Sequence, residues 1–335
     1  MSSAVEVLEA GLQTTVQDLG RPGFENLGVP PSGAADPTAL AVANLLVGND
    51  SGAAALECTL LGPRLRALRP LTLALAGADL GAVAQPSNRP MATLRAHRLE
   101  AGDTIELTST GSPELGCRAY VAFRGGIDVE PVLGSRSTSL VGAFGGFDGR
   151  ALQAGDTIDV LDVDGAAAGA VAGGAPAGGR LAGGWPDTIR LPVPGDPIRV
   201  LRGPASSGPD GAARLTRFLA MAWFVTGEFD RRGLRLDAED AVRRGPVAER
   251  PSQGMVPGAI QLAPSGQPLV LMPDAGTTGG YPVIAIVVRA DLGILGQLSA
   301  GSRVRFQLID PDAARSAAVA REELLADVAR ALAGT

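Results

Sequence analysis

The sequence predicts a mainly β protein made of two related lobes with a few short helices. Three segments share a glycine-centred turn followed by alternating apolar and polar residues, which is typical of β-strands; they are Leu99–Leu107, Leu152–Val160 and Leu298–Phe306. A longer similarity relates Val5–Gly11 to Ile198–Pro204 and indicates that the second half repeats the first. The 46 glycines and 25 prolines suit short strands joined by many turns.

The two lobes are predicted over residues 1–163 and 188–335, and the second lobe is expected to end in a helix. A chain of 335 residues exceeds the usual size of one domain, which favours two. Residues 164–187 consist largely of alanine and glycine, which bury little surface and lose much entropy when they become ordered. This segment is therefore predicted to be a flexible linker between the lobes.

Few segments have the pattern of a helix. The clearest begins with Asp36 as an N-cap, has Pro37 at its first position and ends at Gly48. Asn44 lies on the apolar face of this helix, where it is either a buried structural hydrogen-bonding residue or a ligand contact. Two further helices are predicted, over Arg214–Thr226 and over Asp310 to about Leu332.

The composition excludes several classes of function. All 29 basic residues are arginine, so the chain lacks the lysine of a P-loop, of a Schiff base and of a biotin attachment site. His97 is the single histidine, which leaves no histidine cluster for zinc and is expected on a loop or an edge strand. We therefore predict no metal site.

Charge and targeting signals limit the expected partners. The net charge of −6 argues against a nucleic acid bound through its phosphates. We find neither a signal peptide nor an apolar stretch of about 18 residues, so a cytoplasmic protein without a membrane partner is expected. The spacing of Cys58 and Cys117 fits neither a metal-ligand pair nor a disulfide framework.

The first candidate for a functional segment is the glycine-broken loop Thr14–Gly23. Asp18 and Arg21 either pair with each other across a turn, which contributes little when exposed, or line the mouth of a cleft. The sequence alone leaves both alternatives open.

The second candidate is Phe123–Thr138, where two adjacent glycines let the backbone approach a ligand closely. Ser135, Ser137 and Thr138 surround Arg136 with three hydroxyls, an arrangement suited to a carboxylate or a phosphate. The alternative is a turn whose hydroxyls bond to backbone groups.

Two further features are predicted to face this second segment. Glu57 is expected to be buried, and a buried carboxylate needs a partner, for which Arg124 is the natural candidate. Gly145–Gly149 is expected to form another loop that approaches a ligand with its backbone.

The third candidate interrupts two apolar strands where a barrel places its pocket. Its hydroxyls, paired glycines and aromatic ring suit a small ligand, although the glycines could equally serve loop geometry alone. The residues concerned are Asp274, Thr277, Thr278, Gly279, Gly280 and Tyr281.

Six segments in the same order resemble one known family. They are Thr14–Gly23, Pro31–Pro37, Ala43–Asn49, Leu56–Pro63, Arg124–Thr138 and Thr277–Pro282. The chain resembles the biotin-dependent carboxyltransferase-like family, which includes the C-type subunit of 5-oxoprolinase and allophanate hydrolase subunit 2. This resemblance implies two cyclophilin-like β-barrel lobes.

The resemblance also implies partners and a reaction. The partners would be a B-type 5-oxoprolinase subunit, which is similar to allophanate hydrolase subunit 1, and, in a 5-oxoprolinase, an A-type subunit. Such a complex uses ATP to cleave 5-oxoproline, a small-molecule substrate, to glutamate. The catalytic residues stay open. The residues expected to bind substrate are Asn44, Glu57, Arg124, Ser135, Arg136, Ser137, Thr138, Asp274, Thr277, Thr278, Gly279, Gly280 and Tyr281.

Two alternatives follow from the same resemblance. One is biotin-dependent carboxyl transfer to urea or a related amide, with the biotin carried by another chain. The other is a regulatory binding subunit without catalytic activity. Gln253 and Gly276 replace residues that are usually Glu and Gln in the family, which leaves the identity of the substrate open.

Overall fold

A computed structural model describes residues 3–108, 116–161, 189–238 and 251–333. The chain divides into two compact units, the first formed by Met1–Arg21, Ser32–Leu191 and Glu323–Thr335 and the second by Pro22–Pro31 and Pro192–Glu322. The predicted mainly β fold with few helices is confirmed. The lobe boundaries stay a prediction, since the linker predicted over 164–187 lies outside the described residues.

The first unit contains two antiparallel sheets. One has the strand order β11-β1-β4-β9-β6-β7 and the other the order β2-β3-β10-β5-β8. The strands are β1 (Val5–Glu9), β2 (Gln13–Gln17), β3 (Ala55–Thr59), β4 (Arg64–Ala67), β5 (Leu71–Gly77), β6 (Val83–Gln85), β7 (Arg89–Pro90), β8 (Arg95–Leu99), β9 (Thr104–Glu106), β10 (Arg118–Phe123) and β11 (Thr157–Ile158).

The core of the first unit lies between these two sheets, and the five-stranded sheet is covered on its other face as well. Val121 and Phe123 of β10 face the main core, whereas Tyr120 and Ala122 pack with helix α1 (Pro37–Leu46). All six residues of β10 are therefore buried. Alternating side chains on a strand point to opposite faces, so a strand covered on both faces loses the polar alternation of a half-exposed one.

The second unit is built on one eight-stranded sheet and one two-stranded ladder. The large sheet has the order β20-β13-β14-β17-β16-β19-β12-β21, and β15 pairs with β18. The strands are β12 (Ile198–Arg202), β13 (Trp223–Phe229), β14 (Gly233–Asp237), β15 (Gln253–Gly254), β16 (Ala259–Leu262), β17 (Pro268–Leu271), β18 (Thr278–Gly279), β19 (Val283–Val287), β20 (Arg303–Val304) and β21 (Phe306–Leu308).

The repeat seen in the sequence corresponds to equivalent strands. β1 and β12 each have five residues and bury their first and third side chains in the same alternation. Their pairing differs, because β1 has only antiparallel neighbours whereas β12 pairs in parallel with β21. The repeat therefore preserves which side chains of the strand are buried, but it does not preserve how the strand pairs with its neighbours.

All three predicted helices are present, but the bounds of one differ from the prediction. Helices α1 and α4 (Pro311–Ala333) lie where they were predicted, and the carboxylate of Asp36 accepts hydrogen bonds from the first turn of α1. The helix predicted over Arg214–Thr226 is α2 (Gly208–Ala220), followed by β13. It begins earlier than predicted because Pro209 lies in its first turn, a position that proline favours. A short helix, α3 (Leu292–Gly296), was not predicted.

Three residues that the sequence singled out are buried in the first unit. Cys58 and Cys117 are free thiols without exposed surface, and burial raises the pKa of Cys58 to about 12. His97 lies on β8, an edge strand of the five-stranded sheet, as expected. Its Nε2 donates a hydrogen bond to the carbonyl of Ala92 at 2.8 Å. Among the described residues, no helix is long and apolar enough to cross a membrane.

The environment of His97 makes a prediction about pH. Burial, and to a smaller degree Arg89 and Arg95, lower the pKa of His97 below its ordinary value. The folded state therefore favours the neutral ring, and its contribution to stability is present above the unfolded pKa and is lost as the pH falls. We expect His97→Gln to reduce the loss of stability between about pH 7 and about pH 5.

The measurement is the free energy of unfolding of both proteins in urea at the two pH values. Since the sequence has one histidine, the difference between the two pH dependences reports on that ring. Equal dependences would show that His97 does not titrate differently in the folded state.

Candidate functional site

Asp18 lies at the centre of a hydrogen-bonded cluster in the first unit. Its Oδ1 accepts hydrogen bonds from the hydroxyls of Ser135 (2.7 Å) and Ser137 and from the backbone N–H of Gly20 (2.8 Å). Its Oδ2 accepts one from the backbone N–H of Arg136 at 2.6 Å. The proposed pairing of Asp18 with Arg21 is therefore wrong, because donors from a remote turn occupy the carboxylate.

Arg21 binds backbone carbonyl groups of the same turn. This side chain is buried, with Nε donating to the carbonyl of Val132 at 3.3 Å and Nη2 donating to the carbonyl of Ser137. The guanidinium also lies over the ring of Phe144, 4.9 Å from its centroid. The loop holding Asp18 and Arg21 thus binds both the donors and the acceptors of the 132–137 turn.

The structure changes the interpretation of the predicted anion cradle. The hydroxyls of Ser135 and Ser137 are directed at an internal carboxylate, that of Asp18, and are not available to a ligand. The hydroxyl of Thr138 is buried and, within the described ranges, has no hydrogen-bond partner. Of the predicted cradle, the guanidinium of Arg136 is the group left to meet an external anion.

Two arginines keep donors available near this turn. Nη2 of Arg136 is 3.7 Å from Oδ1 of Asp128, beyond an ordinary hydrogen bond, and its buried Nε has no hydrogen-bond partner in the described part of the chain. Arg124 is half-buried at the end of β10, and none of the described side chains forms an ion pair with it. Both are cations whose donors can bind a carboxylate or a phosphate.

Glu57 was predicted to pair with Arg124, and this prediction is wrong. Its Oε2 accepts hydrogen bonds from the Tyr120 hydroxyl (2.7 Å) and the backbone N–H of Ala35 (2.8 Å), while Oε1 lies 3.5 Å from Nε of Arg118. Arg118 and Tyr120 project from β10 beside Glu57, whereas Arg124 follows the end of that strand. Burial, aided by the Glu57 charge, raises the pKa of Tyr120 well above its usual range.

Asn44 is a structural residue. Its side chain donates to the carbonyl of Ala53 at 2.7 Å and accepts from the side chain of Asn49 at 2.9 Å. Asn49 in turn bonds the carbonyl of Phe123 and the N–H of Gly125, both at 2.8 Å. Of the two alternatives, the geometry supports a buried structural hydrogen-bonding residue. Through Asn49, it also fixes the backbone at Phe123 and Gly125.

Unusual backbone conformations and unpaired polar atoms concentrate in the first unit. Four non-glycine residues of these loops have positive φ, between 50° and 53°: Ser32, Leu133, Ala143 and Asp148. Such conformations are costly and cluster at functional sites. Gln17, Ser32, Thr59 and Thr138 each keep a buried oxygen without a partner, and no such atom occurs in the described part of the second unit. These observations favour the first unit as the location of a site.

The predicted segment of the second unit is held by a buried ion pair. Nε and Nη2 of Arg231 donate to the two oxygens of Asp274, at 2.8 and 3.2 Å, and both side chains are at most 2% exposed. Asp274 is thus occupied by a protein partner. Sequence reasoning missed Arg231. The available signal was an arginine in a tight turn together with Asp274, an acidic residue elsewhere in the chain.

The rest of that segment lies nearer the surface. Thr278 is exposed, and Thr277, Gly279, Gly280 and Tyr281 are partly exposed. Thr278 and Gly279 form β18, and Gly279 lies opposite Gln253 in the ladder with β15. A Cβ on Gly279 would lie 2.9 Å from Nε2 of Gln261, so a larger residue here would require the end of the Gln261 side chain to shift. The geometry brings this segment beside Gln253, one of the two positions where the sequence departs from the family pattern.

Comparison with known proteins identifies the family. A family model described as the carboxyltransferase domain, subdomain A and B, matches residues 27–308. The chain belongs to this carboxyltransferase domain family. The C-type 5-oxoprolinase subunit of Escherichia coli (strain K12) is 37% identical over 302 residues, which make up 90% of each chain. The expected family resemblance is thereby confirmed.

Solved structures of the family share this fold. The crystal structure of the K. lactis urea amidolyase matches 97% of this chain with a TM-score of 0.85 at 28% identity. The crystal structure of the protein TTHA0988 matches 91% of it with a TM-score of 0.76 at 33% identity. The chain spans 20% and 55% of the length of those two solved chains, respectively.

The buried pair of Arg231 and Asp274 makes a prediction about stability. Removing one member leaves a buried charge without its partner, so Arg231→Met is expected to cost about 3–5 kcal/mol of unfolding free energy. Arg232→Met is the matched control, because Arg232 forms an exposed pair with Asp230 at 2.9 Å and should cost less than about 1 kcal/mol.

Urea denaturation of the two variants measures both values. A cost for Arg231→Met no larger than that of the control would show that the buried pair does not stabilise the second unit.

Proposed function

We propose that this chain is the C-type component of an ATP-dependent 5-oxoprolinase complex that cleaves 5-oxoproline to glutamate. The observation that carries the proposal is the match to the corresponding E. coli 5-oxoprolinase component, which covers 90% of both chains. The match to the K. lactis urea amidolyase, in contrast, covers only 20% of that protein. The partners in this proposal are a B-type subunit and an A-type subunit.

The available arginines suit the substrate of this reaction. 5-Oxoproline carries a carboxylate beside its lactam ring, and an arginine fork binds a carboxylate through two parallel hydrogen bonds. The side chain of Arg136 is 35% exposed, and its Nη2 is only loosely paired, 3.7 Å from Oδ1 of Asp128. In the proposal Arg136 binds the substrate carboxylate, and Arg124 faces the same ligand from the end of β10.

ATP enters this proposal as a substrate of the complex. Transfer of a phosphoryl group to the lactam oxygen would make the ring carbon a better target for water, and cationic groups favour the charge that then develops. The sequence has no lysine and therefore no P-loop. We assign no residue of this chain to the nucleotide, and its arginines are proposed to act on the organic substrate.

The surface segment of the second unit is proposed separately as a ligand-binding surface of that unit. Thr277, Thr278 and Tyr281 carry hydroxyls on a segment that is exposed or partly exposed. Such groups donate and accept hydrogen bonds with a polar small molecule. The ion pair of Arg231 and Asp274 is proposed to support this segment without contacting substrate.

Biotin-dependent carboxyl transfer to urea or a related amide is the second candidate function. The observation in its favour is the TM-score of 0.85 with the K. lactis urea amidolyase. Because the sequence contains no lysine, the biotin would have to be carried by another chain.

Assembly with partner chains tests the proposal directly. We expect this chain, co-expressed with its B-type and A-type partners, to release glutamate from 5-oxoproline only in the presence of ATP and only when all three chains are present. Release that needs biotin and bicarbonate, or no release from an assembled complex, would move the assignment to carboxyl transfer or to a regulatory role.

Arg136→Ala tests the role of the arginine in that complex. Loss of its charge-assisted hydrogen bonds should lower kcat/KM by at least about 100-fold. Thermal unfolding should change little, since the ion-pair contact of Arg136 among the described residues is a long one to the partly exposed Asp128, at 3.7 Å. Arg95→Ala is the control, because Arg95 is an exposed residue of the edge strand β8.

Activity and unfolding temperature are measured on the same preparations. An Arg136→Ala chain that loses its fold would mean that the arginine is structural, and an active variant would exclude it from substrate binding.

A further inference from the structure

We infer that Asp18 is a positioning residue that sets the location of the Arg136 guanidinium. This inference rests on the proposed function in one respect, namely that Arg136 binds the anionic part of the substrate. The sequence left Asp18 either paired with Arg21 or at the mouth of a cleft, and the family match assigns it no role.

The contacts of Asp18 are what support the inference. Its carboxylate accepts four hydrogen bonds, three of them from the remote Ser135–Ser137 stretch and one from Gly20. The backbone N–H of Asp18 donates to the hydroxyl of Ser137 at 3.2 Å, which adds a bond in the opposite direction. Hydrogen bonds to a charged acceptor are roughly twice as strong as neutral ones.

The same loop holds the turn from its other side. Arg21 donates to the carbonyls of Val132 and Ser137, so it takes acceptors of the turn while Asp18 takes its donors. The turn also contains Leu133 in a left-handed conformation, with φ 52°, which a non-glycine residue adopts only when its surroundings compensate the strain. The two charges therefore hold a backbone that would otherwise relax.

The position of Arg136 in this turn explains what these contacts achieve. Its backbone N–H is bound to Asp18, and both neighbouring residues are bound through their hydroxyls. Its side chain, in contrast, keeps a buried Nε without a partner in the described residues and has one contact of 3.7 Å with Asp128. The backbone is fixed while the terminal Nη2 of the partly exposed side chain is only loosely paired, which is the preorganisation that a binding residue requires.

Asp18→Asn is the direct test, because the amide keeps the shape but loses the charge and points an N–H group at donors. Asp79→Asn is the matched control: Asp79 accepts from the N–H of Gly81 at 2.9 Å, just as Asp18 accepts from Gly20, but it is exposed and binds no remote turn. Three measurements are made on the wild type and both variants.

The first two measurements do not depend on activity. Hydrogen exchange of the 132–138 backbone amides should be at least about tenfold faster in Asp18→Asn and unchanged in Asp79→Asn. Phenylglyoxal labelling of Arg136, followed by peptide mass spectrometry, should be several-fold faster when the turn is released. Wild-type values of both in Asp18→Asn would overturn the inference.

The third measurement is the kinetics of the assembled complex with 5-oxoproline and ATP. A misplaced Arg136 should raise KM about tenfold or more, with an unfolding temperature close to that of the wild type. A merely structural Asp18 would lower the amount of active protein, and hence the apparent kcat, at constant KM, and that result would overturn the inference.

A second set of variants covers the case in which Asp18→Asn does not fold. Ser135→Ala removes one hydrogen bond to the Asp18 carboxylate, and Ser137→Ala removes one to the carboxylate and the acceptor of the Asp18 N–H. Each should accelerate exchange and labelling to a smaller degree than Asp18→Asn. Wild-type exchange in both would falsify the inference. If the wild-type complex releases no glutamate and 5-oxoproline does not protect Arg136 from phenylglyoxal, the proposed function fails, while exchange and labelling still decide the role of Asp18.

Discussion

The buried carboxylate of Glu57 is the interaction on which the arrangement of the first unit depends. A charge placed inside a protein must be paired and hydrogen-bonded, or its burial costs several kcal/mol. Glu57 meets that requirement with three groups from two places: Tyr120 and Arg118 on β10, and the backbone of Ala35 just before α1. The Tyr120 hydroxyl also accepts from the N–H of Asp36, the N-cap of α1. One carboxylate therefore fixes where the helix begins against the sheet.

What could be predicted from the sequence follows from the range of the interactions involved. Helix α1 was predictable because its cap, proline and terminal glycine lie within thirteen residues, and the mainly β fold because turns and alternation are local. The side-chain partners of Glu57 and Asp18 were not predictable, since each lies more than 60 residues away along the chain. Sequence neighbours such as Arg21 looked suitable, but the fold directs their side chains to backbone carbonyls. Charge pairing in this protein is thus decided by strand register and loop packing.

The two units use buried charge in different ways. In the second unit, the buried side chains of Arg231 and Asp274 form an ion pair at the start of the surface segment that ends at Tyr281. In the first unit, the charges of Asp18 and Arg21 bind a backbone turn, which leaves the guanidinium of Arg136 with available donors. The ion pair of the second unit stabilises a scaffold. The contacts in the first unit instead position Arg136, the proposed binding group. A duplicated strand pattern is therefore compatible with unequal chemistry in the two halves.

The burial of both cysteines has a practical consequence for experiments on this chain. A thiol reacts through its thiolate, and a pKa near 12 leaves Cys58 almost entirely protonated at neutral pH. Cys117 is buried as well, and burial raises its pKa too. A cysteine introduced at an exposed position would accordingly be the preferred target of a maleimide dye or a spin label, without removal of the native residues. Fluorescence or electron-spin measurements would then report on the one labelled position in a chain that keeps both native cysteines.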